Sequence, residues 1–177
     1  MVSAVRRIVV LLLVVAAIGA VVLFLTGRPG LQRDDAAVTA AWRPVRIALE
    51  ARDAALAQLD RAVRAAGPRR DVASDYAQAV ARQVRAASED TAAQIAAANE
   101  LEGIGRRFGA LVTNSPRYAA STAVAEALRT YSTSAPDRAL VTTLDDAVQR
   151  ANHRRDGVLR RLVARLSGSG DIPAFVG

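Results

Sequence analysis

The chain has 177 residues, 51% of them hydrophobic but only 4% aromatic, with no cysteine and a net charge of +7. The missing cysteine excludes disulfides, iron–sulfur clusters and thiolate zinc sites. All 24 basic residues are arginine, and the excess positive charge sits at the ends: residues 34–146 carry 14 arginines against 15 acids, while 1–33 carry four against none and 147–177 six against two.

The first element is Ile8–Leu25, eighteen consecutive residues without a charged or strongly polar side chain. As a helix it would be about 27 Å long, the hydrocarbon thickness of a bilayer. With every face apolar it has no side to offer water, so a single-pass membrane anchor is expected, with the lipid bilayer as its partner. A cleaved secretory signal is the competing reading, with Arg6 and Arg7 as its charged start. The length of the run, and the lack of a small-x-small site in Thr26–Gly30, favour an uncleaved anchor. Arginines on both sides leave the orientation divided: the count favours a cytoplasmic domain, the short basic amino-terminal tail an exported one, and the expectation here is outward. Gly27-Arg28-Pro29-Gly30 reads as a breaker, giving an anchor at 1–30.

From Val38 the apolar residues recur as Val38, Trp42, Val45, Leu49, Leu56, Leu59 and Val63, spacings of four and three that bury one seam of a helix. Pro44 falls near its expected start, and Gly67-Pro68 ends it. Asp71 is the expected N-cap of a second helix, whose stripe runs Val72, Tyr76, Val80, Val84, Ala87, Ile95 and Ala98, weakening or breaking at Gly103-Ile104-Gly105 before Phe108, Leu111 and Val112. Asn114-Ser115-Pro116 reads as a stop and restart, with Ser115 as cap and Pro116 at the first helical position. A shorter helix then carries Tyr118, Val124, Leu128 and Tyr131, and Ser134–Asp137 restarts the chain again. The last helix is expected to be long, with Val141, Leu144, Val148, Ala151, Val158, Leu162 and Leu166 on one face. Ser167–Gly170 ends it, and residues 167–177 read as a flexible tail. Nothing alternates as a half-buried strand would. The expected fold is all-α: an anchor followed by an antiparallel up-and-down bundle of about four helices over 31–166.

Four features resemble the LemA family of bacterial membrane proteins. A hydrophobic amino-terminal segment precedes a helix with Ala41-Trp42, Val45, Leu49, Arg52, Leu59 and Val63. Pro116-Arg117-Tyr118-Ala119-Ala120-Ser121 is similar to that family's restart. The closing helix has Ala147, Asn152, Val158 and Leu162 at similar spacings, and Ile172-Pro173 is similar to its proline-containing tail. The resemblance implies a membrane-anchored helical bundle with no established catalytic activity.

Arg52 and Arg155 both fall in apolar seams. An unpaired buried guanidinium is too costly to persist, so each is either part of a polar network that fixes register or receives an acidic ligand, or a stem that packs while its head reaches water. The second, simpler reading is preferred. Arg150, Arg154, Arg161 and Arg165 form one stripe of the expected last helix, flanked by Arg155 and Arg160, suited to anionic lipid headgroups or an acidic partner, or simply a solvated face. The solvated face is preferred; no nucleic-acid partner is expected, since neither stacking aromatics nor a recognisable module accompanies the charge. Trp42, Leu49, Leu59 and Leu162 are read as core packing, Trp42 in preference to an interfacial role. His153 is a lone histidine and no metal, cofactor or small-molecule substrate is expected. Asp145-Asp146 and Glu89-Asp90 are neighbours on a helix and do not converge, and no nucleophile elbow or phosphate loop is present. The expectation is a non-enzymatic, membrane-anchored scaffold for protein interaction, with anionic-ligand binding as the alternative.

Overall fold

The computed structural model describes the backbone of residues 2–67, 70–156 and 171–176, and the side chains of residues 30–67, 72–156 and 171–176 within it. The described residues form six helices and no strand: α1 (Val2–Ala66), α2 (Arg70–Ala86), α3 (Thr91–Asn114), α4 (Pro116–Ala119), α5 (Thr122–Thr133) and α6 (Arg138–Arg155). The chain is all-α, as expected, but its helix boundaries differ from the expected ones in instructive ways.

α1 does not break at Gly27–Gly30; it is one helix of 65 residues. A proline and two glycines cost a few kcal/mol in a helix interior, but stopping and renucleating a helix is also unfavourable, and long good segments on both sides carry the helix through. Pro44 consequently lies far from the helix start, on the exposed face. Among the described residues no helix is long and apolar enough to cross a membrane. The run Ile8–Leu25 falls where side chains are outside the described set, so the anchor rests on the sequence.

The expected second helix is two. It breaks at Ala87–Asp90, where Asp90 becomes the N-cap of α3 by accepting a 2.8 Å bond from the Ala93 amide. It does not break at Gly103-Ile104-Gly105, which is helical throughout. Gly105 is there for space, because a Cβ at that position would collide with the Tyr131 hydroxyl. α2 begins at Arg70, so Asp71 lies in its first turn and not at its cap. Pro116 does open a helix, but α4 lasts only four residues before Ser121 caps α5. α4 instead seals the end of α1: Arg117 Nε donates to the Ala66 carbonyl at 2.7 Å and the Tyr118 hydroxyl to that of Gly67 at 3.0 Å. These are carbonyls that a helix end leaves without intrahelical donors.

Asp137 caps α6 through the Ala139 amide at 2.8 Å, and Asp156 is the C-cap that follows Arg155. Leu162 and the other expected seam residues beyond it lie outside the described residues.

Pairings across the helices give the path. Thr39–Thr91, Trp42–Gln94 and Arg52–Glu102 run in step, so α1 and α3 are parallel. Asp75–Arg107 and Arg82–Glu100 run in opposition, so α2 and α3 form an antiparallel hairpin. α5 and then α6 return along α1, Tyr131 meeting Arg52 and Arg155 meeting Asp35. The path is up, down, up and down, the last leg being broken into α4, α5 and α6.

Two cores result, stacked along α1 and α3. The far core gathers Leu56, Leu59, Ile104, Phe108, Tyr118, Val124 and Tyr131, with α2 laid against it through Tyr76, Ala79 and Val80. The near core, closer to the amino-terminal run, gathers Val38, Trp42, Val45, Leu49, Ile95, Leu144 and Val148. It also contains Ile172 and Phe175, only 6% and 4% exposed. Of the loose tail expected from Ser167 onward, residues 171–176 are instead a non-helical strap packed into the bundle, while 167–170 lie outside the described residues. Two large side chains lie deep enough to gain about 1.5–3 kcal/mol each from leaving water, which holds a short segment in place.

Candidate functional site

α3 and α6 flank the near core with their backbones apart; no Cα of one comes within 8 Å of the other. The strap lies between them. From α6, Asn152 donates its Nδ2 to the Ile172 carbonyl at 2.8 Å and accepts the Ile172 amide at 3.1 Å. From α3, Asn99 donates to the Ala174 carbonyl at 2.7 Å and accepts the Val176 amide at 2.7 Å. Arg106 adds a 2.9 Å bond to the Val176 carbonyl. Each asparagine thus offers one donor and one acceptor to the non-helical backbone of the strap.

The floor of this groove is α1. Phe175 tilts at 58° over Trp42, with ring centroids 6.0 Å apart, and Trp42 Nε1 donates to Gln94 on α3 at 3.0 Å. The indole therefore buries its apolar body while its one donor stays satisfied. Below the groove, Arg154 Nη1 reaches Asp34 at 2.8 Å and Arg155 pairs with Asp35, pinning the end of α6 to α1. A surface cleft of about 460 Å³ opens beside that pin, lined in part by Asp35, Glu89, Asp90, Thr91, Arg155 and Ile172. Three of its charged groups have structural work already: Asp35 holds Arg155, and Asp90 caps α3.

A second polar cluster separates the two cores. Arg52 grips Glu102 with two nitrogens, Nε on Oε1 and Nη2 on Oε2, the latter at 2.8 Å. Its Nη1 donates to the Tyr131 carbonyl at 2.9 Å, its Nη2 to the Tyr131 hydroxyl at 3.0 Å, and that hydroxyl donates to Glu102 at 3.1 Å. The guanidinium carbon stands 4.1 Å from the Tyr131 ring centroid. Burial opposes the charge on Arg52, but the bond to Glu102, its charge, and Tyr131 outweigh it and raise the pKa. Burial, then the Glu102 charge, pushes the Tyr131 phenol up to about 12, so it remains a donor at neutral pH. Next door Asp53 accepts from Gln83 of α2 at 2.7 Å. The cluster ties together α1, α3 and α5, with α2 attached beside it; every hydrogen-bonding partner is internal.

The preferred reading of Arg52 and Arg155 as stems with solvated heads is corrected by this geometry. Arg52 is 9% and Arg155 2% exposed, and each faces a carboxylate. The reason is that both seams supply an acid from across the bundle, which compensates the desolvation better than a reach to water. Of the arginine stripe, Arg150 and Arg154 lie on α6, both exposed, and Arg154 is engaged with Asp34; Arg160, Arg161 and Arg165 lie outside the described residues. Trp42, Leu49 and Leu59 are buried, at 4%, 4% and 0% exposure. His153 is exposed, and among the described residues no group of side chains suits a metal ion. Sequence reasoning missed Glu102, Asp35 and the two asparagines as a set. Glu102 did carry a signal: it occupies a core-facing position between Ala98 and Gly105 where an apolar residue belongs.

No protein-family model, curated protein or solved structure matches the chain.

Proposed function

We propose that this chain is a non-enzymatic, membrane-anchored scaffold of the LemA kind, which mounts a helical bundle on a bilayer for protein interaction. The observation that carries the reading is the continuity of α1: one helix, Val2–Ala66, contains both the apolar run Ile8–Leu25 and the seam of both cores. An anchor so joined transmits the tilt of the membrane helix directly to the bundle, with no linker to absorb it. The absence of chemistry in this reading rests on the buried polar groups, which bind one another: Arg52 to Glu102 and Tyr131, Arg155 to Asp35. Binding of anionic headgroups through the last helix is the weaker account, because Arg154 and Arg155 already face Asp34 and Asp35.

Vesicle flotation at high salt tests the proposal. The full chain is expected to float with neutral vesicles, and a chain beginning at Leu31 to stay behind while keeping its helical circular dichroism. Flotation of both chains equally, or of neither, overturns the anchor.

A further inference from the structure

The strap is held in a way that leaves most of its sequence unread. Five hydrogen bonds reach its main chain, four of them from the amides of Asn99 and Asn152 and one from Arg106. Only Ile172 and Phe175 are buried, whereas Asp171, Ala174 and Val176 are exposed, Val176 at 54%. Pro173 sits between the two anchors; its fixed φ favours an extended chain and it has no amide donor to leave unmet. The groove therefore asks three things of an occupant: an extended backbone, an apolar side chain, and an aromatic one three residues later. The backbones of α3 and α6 are held apart there, and the strap bonds to both.

We propose that the groove between α3 and α6, floored by Trp42, is a peptide-binding site for an extended partner segment of the pattern apolar-Pro-x-aromatic, and that residues 171–176 occupy it in cis as a competitor. The contacts that hold the strap are those an incoming segment would meet: backbone to Asn99 and Asn152, an aromatic ring on Trp42, an aliphatic side chain buried in the near core. Recognition by added main-chain bonds with pockets for alternate anchors is an established mode of peptide capture. A tethered strap competes at an effective concentration in the millimolar range, so the site is reserved for partners that are abundant, multivalent or tightly matched. This deepens the scaffold reading by naming its partner's chemistry, yet its test needs no bilayer.

The probe is a fluorescein-labelled peptide with the sequence of residues 171–176, titrated against the full chain in detergent and followed by polarisation. Ile172→Ser with Phe175→Ser frees the strap. The freed chain is expected to bind the probe at least tenfold more tightly than the unaltered chain. Adding Asn99→Ala and Asn152→Ala should remove that gain, and a probe with serine at both anchors should not bind. A freed chain that stays helical and gains nothing, or binds equally without the asparagines, overturns the proposal. If the double variant loses helix, Phe175→Ser alone carries the same comparison, since it keeps the Ile172 anchor. Dimerisation of the unaltered chain that the two serines abolish would identify a second copy as occupant and overturn the partner assignment. Failed flotation would leave this result standing, and failed peptide capture would leave the anchor standing.

Discussion

The far and near halves of the bundle share α1 and α3 yet are closed by different means. In the far half α2, α4 and α5 surround the shared pair, and the Arg52–Glu102–Tyr131 cluster lies at its base, every member on a helix. In the near half, among the described residues, α6 is the only other helix on the core, the backbones of α3 and α6 stand apart, and a six-residue strap held by two asparagines lies between them. A helix brings its own satisfied backbone to a core; a strap brings backbone groups that its neighbours must satisfy. The far half is accordingly expected to be the stable unit and the near half the adjustable one.

The largest effect should come from breaking the cluster between them. Glu102→Ala leaves Arg52 buried without its carboxylate, and a loss of about 3–5 kcal/mol is expected in chemical denaturation. Replacing both partners, Arg52→Met with Glu102→Leu, should cost much less than the two single changes together, because no charge is then stranded. A double loss equal to the sum of the singles would mean that the pair does not act as a unit.

Core truncation sharpens the comparison next. Leu59→Ala in the far core should cost about 2–5 kcal/mol, and Leu49→Ala in the near core should fall in the lower part of that range, because the strap can settle into the space. The reverse order would contradict the division into rigid and adjustable halves.

Asn152→Ala removes two half-buried bonds to Ile172 and is expected to cost about 1–3 kcal/mol. Emission from Trp42, the single tryptophan, should shift to longer wavelength as Phe175 loosens over it. Unchanged emission would show that the strap is held by its side chains alone.

The smallest effect is a pH dependence beside the cluster. Burial, assisted by Glu102 and Glu50 and opposed by Gln83 and Arg52, raises the Asp53 carboxyl above 3.8. An acid with a folded pKa above its unfolded one is penalised when ionised, fully so above the folded pKa, and the penalty vanishes as pH falls below the unfolded value. Asp53→Asn keeps an acceptor for Gln83 and should therefore stabilise the chain slightly at neutral pH. That gain should disappear below pH 3.8, the ordinary aspartate value. A gain that grows on acidification would reverse the assigned direction.

The all-α class and the α1 seam from Val38 to Val63 were legible in the sequence because period and burial coincide there. Helix ends were less so. Gly105 reads as a breaker until Tyr131 is seen to need its space, and Ala87–Asp90 reads as more helix until Asp90 is seen to cap. The site was the least legible part, since Asn99 and Asn152 are ordinary polar residues on partly exposed helix faces. Their meaning comes from a segment 20 residues beyond Asn152 and 75 beyond Asn99, which periodicity cannot connect. The ion pairs failed for a related reason: Arg52 and Arg155 announce themselves in a seam, but their acids lie 50 and 120 residues away.

Native-state hydrogen exchange on the full chain, with and without Ile172→Ser and Phe175→Ser, tests the two-part account most directly. Freeing the strap should lower protection in α6 and in α3 up to about Ala98, while α5 and α3 beyond Glu102 keep the protection of the unaltered chain. An equal loss across both halves, or no loss in α6, would contradict it.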